Sequence, residues 1–210
     1  MRTRPLLTLA AAIAAAATLT ACADDDTTAT TNSPPASSAG ATAAGSTIGS
    51  EADIAFAQLM IPHHQQALEM ATLAATNATS PEVKALAVQI EAAQDPEIQT
   101  MTRWLTTWGA PTVMATPSDG GMDHGGMDMG GMTEAGMMSA EDLAALANAT
   151  GADFDTMWLQ MMIAHHQGAI AMAQQAAETT TNSQVGELAD AIIAGQTAEI
   201  ATMQQLLATQ

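Results

Sequence analysis

The sequence predicts an all-α protein, a four-helix bundle built from two copies of one helical hairpin. Three observations carry this. Residues 51–105 match residues 153–207 without a gap, in the register that sets His63 on His165, and about two in five positions are identical. Apolar residues recur at helical spacing in each of four segments, and alternation at period two is absent. Capping and turn residues bound the segments. Two hairpins bury four amphipathic stripes most economically as one bundle.

The first segments of the chain lie outside that bundle. Arg2 and Arg4 precede an apolar run from Leu6 to Leu19. The run is short for a bilayer and has the flanks of a signal peptide, which is expected over residues 1–21. Leu19-Thr20-Ala21-Cys22 resembles a bacterial lipobox, in which cleavage falls before the Cys and the Cys carries the lipid. Cys22 is the only Cys of the chain. Residues 22–49 are rich in Thr, Ser, Ala, Pro and Gly and read as a disordered tether between a lipid on Cys22 and the folded part. The expected location is extracytoplasmic, anchored to the cell membrane.

The first hairpin is expected over residues 50–109. Ser50 can cap its first helix, with Asp53 at the third helical position. The turn lies near Thr76 to Ser80, and Ser80-Pro81-Glu82 opens the second helix with a cap, a Pro and an acid. Gly109 and Pro111 stop it. Pro62 and Pro96 fall inside these helices and should kink them; the matching positions are Ala164 and Ala198. Residues 110–138 form a Met- and Gly-rich linker expected to hold no packed element. The second half, residues 139–209, opens on a short helix at Ser139-Ala140-Glu141-Asp142. Its long helix should start near Asp153 and its turn lies near Thr180 to Ser183.

Charge narrows the partners. After cleavage before Cys22, Lys84 and Arg103 stand against all 22 acids, a formal balance of −20. Such a chain repels nucleic acid and suits a cation. One Cys allows no disulfide within the chain and no thiolate metal cluster.

The chemistry-bearing residues come in duplicate. Met60-Ile61-Pro62-His63-His64-Gln65 repeats as Met162-Ile163-Ala164-His165-His166-Gln167, and Met70-Ala71 as Met172-Ala173. On a helical wheel His64, Ala67 and Ala71 fall within about 40° of Met60, and His63 and Met70 share an adjoining direction. On the second helix Val83, Leu86, Ile90, Gln94, Glu97 and Met101 form a stripe in which Glu97 is the anomaly. A buried carboxylate is costly unless paired or metal-bound. Glu199 and Met203 repeat Glu97 and Met101. A Met stripe is usually core filling, because Met packs adaptably. Packing alone does not ask for His-His twice at matching positions. The expected metal ligands are His63, His64, His165 and His166, then Met60, Met70, Met162 and Met172, then Met101 and Met203. Glu97 and Glu199 are expected as ligands or as acceptors for a ligand's ring N–H.

The linker adds Met122, His124, Met127, Met129 and Met132, followed by Met137 and Met138. These methionines are expected to be exposed, with no packing role. Thioether is a soft, neutral ligand that favours Cu(I) and Ag(I) and needs no deprotonation. His, Met and carboxylate together suit copper, as Cu(I) or Cu(II). Zinc sites use Cys, His and carboxylate, and calcium sites use oxygen. No Glu-x-x-His of the di-iron bundles occurs.

Both halves resemble the bacterial family called domain of unknown function 305. The likeness lies in the two Met-Ile-x-His-His-Gln motifs with Met70-Ala71 and Met172-Ala173. It continues in Gln94 to Glu97-Ile98 to Met101, repeated as Gln196 to Glu199-Ile200 to Met203. The resemblance implies a ferritin-like fold and a part in extracytoplasmic copper binding and copper tolerance. The reading is a non-enzymatic copper-binding lipoprotein that sequesters or hands over Cu, alone, with a copper-transfer partner or as a homo-oligomer. Two other readings fit the residues. A ferritin-like oxidase would show redox turnover by the loaded protein. A structural lipoprotein whose histidines only pack would melt at one temperature with and without metal.

Overall fold

The computed structural model describes residues 49–112 and 136–209. The expected signal peptide, the tether with Cys22, and Met122, His124, Met127, Met129 and Met132 lie outside the described residues. The rest forms an all-α bundle: α1 Glu51–Asn77, α2 Pro81–Trp108, α3 Ala140–Asn148, α4 Gly151–Thr179 and α5 Ser183–Leu207. Among the described residues no helix is long and apolar enough to cross a membrane.

The helix boundaries follow from local chemistry. Ser50 and Asp53 close a capping box on α1, and Ser139 and Asp142 close one on α3. Ser80 accepts from the Val83 N–H with Pro81 at the first helical position of α2. Gly109 ends α2 with φ 70°, a conformation that costs other L residues. Pro62 and Pro96 are accommodated inside continuous helices. One boundary departs from expectation. Helix α4 starts at Gly151, before Asp153, because Gly151 takes φ 68° and turns the chain directly out of α3. Thr150 supplies no side-chain cap there.

Each hairpin packs along its own length, and the two hairpins meet chiefly through α1 and α4. Helices α2 and α5 flank that pair and touch each other little. The core divides into two apolar clusters. One joins Ala67–Ala78 of α1 and the turn beyond it, Val83–Ile90 of α2, Leu146 of α3, Phe154–Met162 of α4 and Met203 of α5. The other joins Phe56–Ile61 of α1, Met101 and Leu105 of α2, Ala169–Ala176 of α4 and Val185–Ile192 of α5. The N-terminal half of α1 therefore faces the C-terminal half of α4, and the reverse. The two helices run antiparallel about a pseudo-two-fold axis between His63 and His165.

Two buried aspartates clamp the hairpins together. Asp155 on α4 accepts from Thr79 Oγ1 at 2.6 Å, the Thr79 N–H at 3.0 Å and the Ser80 N–H at 2.8 Å, gripping the turn of the first hairpin. Its counterpart Asp53 accepts from Thr180 Oγ1 at 2.6 Å in the second turn while capping α1 through the Ser50 N–H. Trp158 adds an indole N–H to the Met70 carbonyl at 2.9 Å. Asp155→Ala removes the acceptor of two backbone donors at a partly exposed helix start and should cost about 1–2 kcal/mol. Urea denaturation measures it, and a loss no larger than that of an exposed helix substitution would remove the clamp from this account.

Candidate metal centre

A polar layer crosses the bundle between the two apolar clusters. Along α1 it comprises His63 and His64, along α4 His165 and His166, along α2 Gln94 and Glu97, and along α5 Gln196 and Glu199. The helical repeat dictates this. Apolar stripes above and below leave these positions facing inward, and the antiparallel pairing of α1 with α4 brings the two His-His motifs to the same level.

The His63 and His165 rings lie 3.7 Å apart between centroids, tilted by 37°. All four imidazoles are essentially inaccessible to solvent. His64 Nε2 lies 2.7 Å from Glu97 Oε2, and His166 Nε2 lies 2.7 Å from Glu199 Oε2. Each carboxylate therefore orients one imidazole and leaves its Nδ1 inside the layer. Among the described residues Nδ1 of His64 and Nδ1 of His166 have no hydrogen-bond partner. Burial, and then the positive charge that His63, His166 and His64 would carry, drive the pKa of His165 far below its usual 6.5. His165 is thus neutral at physiological pH, the state in which imidazole binds metal.

Glu97 and Glu199 are not the buried carboxylates expected from the apolar stripe. Their side chains are 20% and 18% exposed, because each reaches from the bundle edge toward its histidine. The deeply buried polar residues of α2 and α5 are Gln94 and Gln196, at 2% and 4% exposure, and neither amide atom of either has a partner among the described residues. Sequence reasoning gave them no role. The available signal was an identical Gln in both copies between core positions, Ile90 and Met101 or Ile192 and Met203.

The six methionines expected as bundle ligands lie in the apolar clusters beside the layer. Met70, Met162 and Met203 share one cluster, and Met60, Met101 and Met172 share the other, all nearly or fully buried. Met60 and Met162 stand one helical turn from His63 and His165. Among the described residues no three His, Cys, Asp or Glu side chains gather as a ready-made metal site.

The returning end of the linker corrects one expectation. Met138 is half-buried and packs against the cluster of Met70 and Met162, so it does have a packing role. Gln66 holds its backbone twice: Met138 N–H donates to Gln66 Oε1 at 2.7 Å, and Gln66 Nε2 donates to the Met138 carbonyl at 2.9 Å. Gly136, at φ 74°, lies so close to α4 that a Cβ there would sit 2.5 Å from the Ala164 carbonyl oxygen and 3.1 Å from His165 Cα. The linker therefore rejoins the fold directly over the histidine layer.

Solved structures share this architecture. A DUF305 fragment from Deinococcus radiodurans aligns with a TM-score of 0.66 at 28% identity, covering 78% of this chain and 99% of that one. A DUF305 protein from Streptomyces coelicolor, described as secreted, aligns with a TM-score of 0.67 at 32% identity, covering 75% and 93%. CopM in its Cu(I)-bound form aligns with a TM-score of 0.61 at 34% identity, covering 75% and 96%. CopM has also been solved with Cu(II) and with Ag. No protein with a curated description matches the chain. The family profile described as domain of unknown function, DUF305, matches residues 53–207. That span takes in all four long helices and the whole polar layer, and the chain belongs to the DUF305 family.

Proposed function

We propose that this chain is an extracytoplasmic copper-binding lipoprotein, held to the membrane through Cys22, that captures copper for sequestration or hand-over and performs no catalysis. One observation carries the reading. Two His-His motifs, duplicated in sequence, meet at the centre of the bundle, and among the described residues the buried Nδ1 atoms of His64 and His166 have no hydrogen-bond partner. Such nitrogens are costly in a purely structural core. Copper offers them a partner, and the donors suit it. Neutral imidazole serves Cu(II) and Cu(I), the adjacent thioethers favour Cu(I), and Glu97 and Glu199 fix two of the rings. The copper-bound forms of CopM support the metal, and the Streptomyces relative's description as a secreted protein supports the compartment.

Elemental analysis of the protein exported and purified without chelators, followed by competition titrations with Cu(I) and Cu(II), tests this. Copper should co-purify or bind tightly. Saturation should also raise the melting temperature, since a ligand at a hundred times its Kd stabilises the fold by about 2.7 kcal/mol. Identical melting of metal-free and copper-saturated protein would return the histidines to a packing role.

A further inference from the structure

We propose that the end of the bundle carrying Arg103, Trp104 and Trp108 rests on the surface of a phospholipid bilayer. The chain has three Trp, two Phe and no Tyr. Phe56, Phe154 and Trp158 are enclosed in the core. The two aromatic residues that reach solvent are Trp104 and Trp108, half-buried on α2 and stacked with ring centroids 5.7 Å apart. Arg103 is exposed beside them, donates to Thr100 Oγ1 at 2.8 Å and forms no ion pair among the described residues. Residues 98–112 hold no Asp or Glu, in a chain with 22 of them. The internal duplication supplies a control. In its register the matching residues are Gln205, Leu206 and Gln210, so the hairpin itself does not need a guanidinium and two indoles there.

The three side chains line one open groove between α2 and the start of α5, which adds Gln184, Glu187 and Leu188. Indole suits the boundary between headgroups and acyl chains, because its body is apolar and its N–H polar. Guanidinium pairs with phosphate in fork geometry. A patch this small binds weakly on its own, and its place in the chain removes that difficulty. Gly49, from which the chain runs back to Cys22, lies against the Trp108 ring, where a Cβ would stand 2.5 Å from Cδ2. The tryptophan end is therefore the end at which the bundle joins its tether. A lipid on Cys22, 27 residues away, makes the contact intramolecular, so weak affinity suffices. A chain of that length reaches roughly 90 Å when extended, so the anchor alone does not hold the bundle at the surface. Acidic side chains elsewhere on the bundle are repelled by anionic headgroups, which leaves this end to face them. The role of a second foothold rests on the lipid at Cys22, whereas the lipid affinity of the tryptophan end does not.

Tryptophan fluorescence of the full exported chain, with vesicles of phosphatidylethanolamine and phosphatidylglycerol, tests the contact. Trp158 is wholly enclosed, so changes on adding vesicles report Trp104 and Trp108. Their emission should shift to the blue and be quenched by lipids brominated near the headgroup. Arg103→Glu, an exposed change, and Trp104→Leu, the residue of the second repeat, should each cut the quenching by about half or more at an unchanged melting temperature. Quenching that both variants retain in full would overturn the assignment to this end. Mass spectrometry of Cys22 separates the contact from the anchor. An acylated chain that sediments with vesicles while its tryptophans stay unquenched would overturn the contact and leave the anchor standing. An unacylated chain whose tryptophans are still quenched would uphold the contact and count against the anchor.

Discussion

Changing His63 and His64 together to Ala should weaken tight copper binding roughly a hundredfold or more, read by competition against a chelator of known affinity. The size follows from what the pair contributes. His63 faces His165 at 3.7 Å on the pseudo-two-fold axis, and His64 is held through Nε2 by Glu97 with its Nδ1 left in the layer. The double variant removes one helix's share of the layer. Because the second repeat presents the same arrangement through His166 and Glu199 at 2.7 Å, His165→Ala with His166→Ala should cost a comparable amount. Replacing Met122, Met127, Met129 and Met132 should leave this tight site intact. Unchanged affinity in the first double variant would remove the histidines from the site.

The metal-free protein should lose stability as the pH falls below about 6.5. His165 has a folded-state pKa well below the 6.5 of an unperturbed imidazole, through burial first and neighbouring histidines second. The unfolded chain then binds a proton that the folded chain refuses, so stability rises with pH in that window and is fully present above it. The slope for one such group is roughly 1.4 kcal/mol per pH unit, continuing downward while His165 stays neutral in the fold. Urea midpoints of the metal-free protein from pH 7.5 to 4.5 measure it. A flat profile across that range would mean that His165 accepts a proton in the fold without cost, and would contradict its description as a buried, neutral imidazole.

Much of the fold was legible in the sequence because the duplication reports it twice. Ser50, Ser80-Pro81, Gly109 and Ser139 mark their helix ends by local chemistry alone, and the structure uses each of them. The start of α4 was less legible, since a left-handed glycine performs there what a side-chain cap performs elsewhere. The pairing of the hairpins was not legible either. Periodicity gives each helix an apolar face but not the helix it faces, and the Asp155 and Asp53 clamps join residues 76 and 127 positions apart.

The candidate site divides in the same way. The histidines stood out through their repetition. Gln94 and Gln196 did not, because a Gln within an apolar stripe usually sits at its solvent edge. In the bundle these two are buried, while Glu97 and Glu199 stay near the surface. The inner methionines share faces with the histidines on a helical wheel, but their height along the bundle, which a wheel does not show, places them in the clusters above and below. Met138 read as an exposed linker residue because the two hydrogen bonds that fix it come from Gln66, far away in sequence.

The central claim is that copper binds in the mid-bundle histidine layer. Diffraction from crystals of the copper-loaded protein, recorded at the copper absorption edge, tests it most directly. The account predicts anomalous density within bonding distance of imidazole nitrogens of the His63–His64 and His165–His166 motifs, between the two apolar clusters. Copper found only at surface carboxylates or linker methionines, with the histidine layer unchanged, would contradict it.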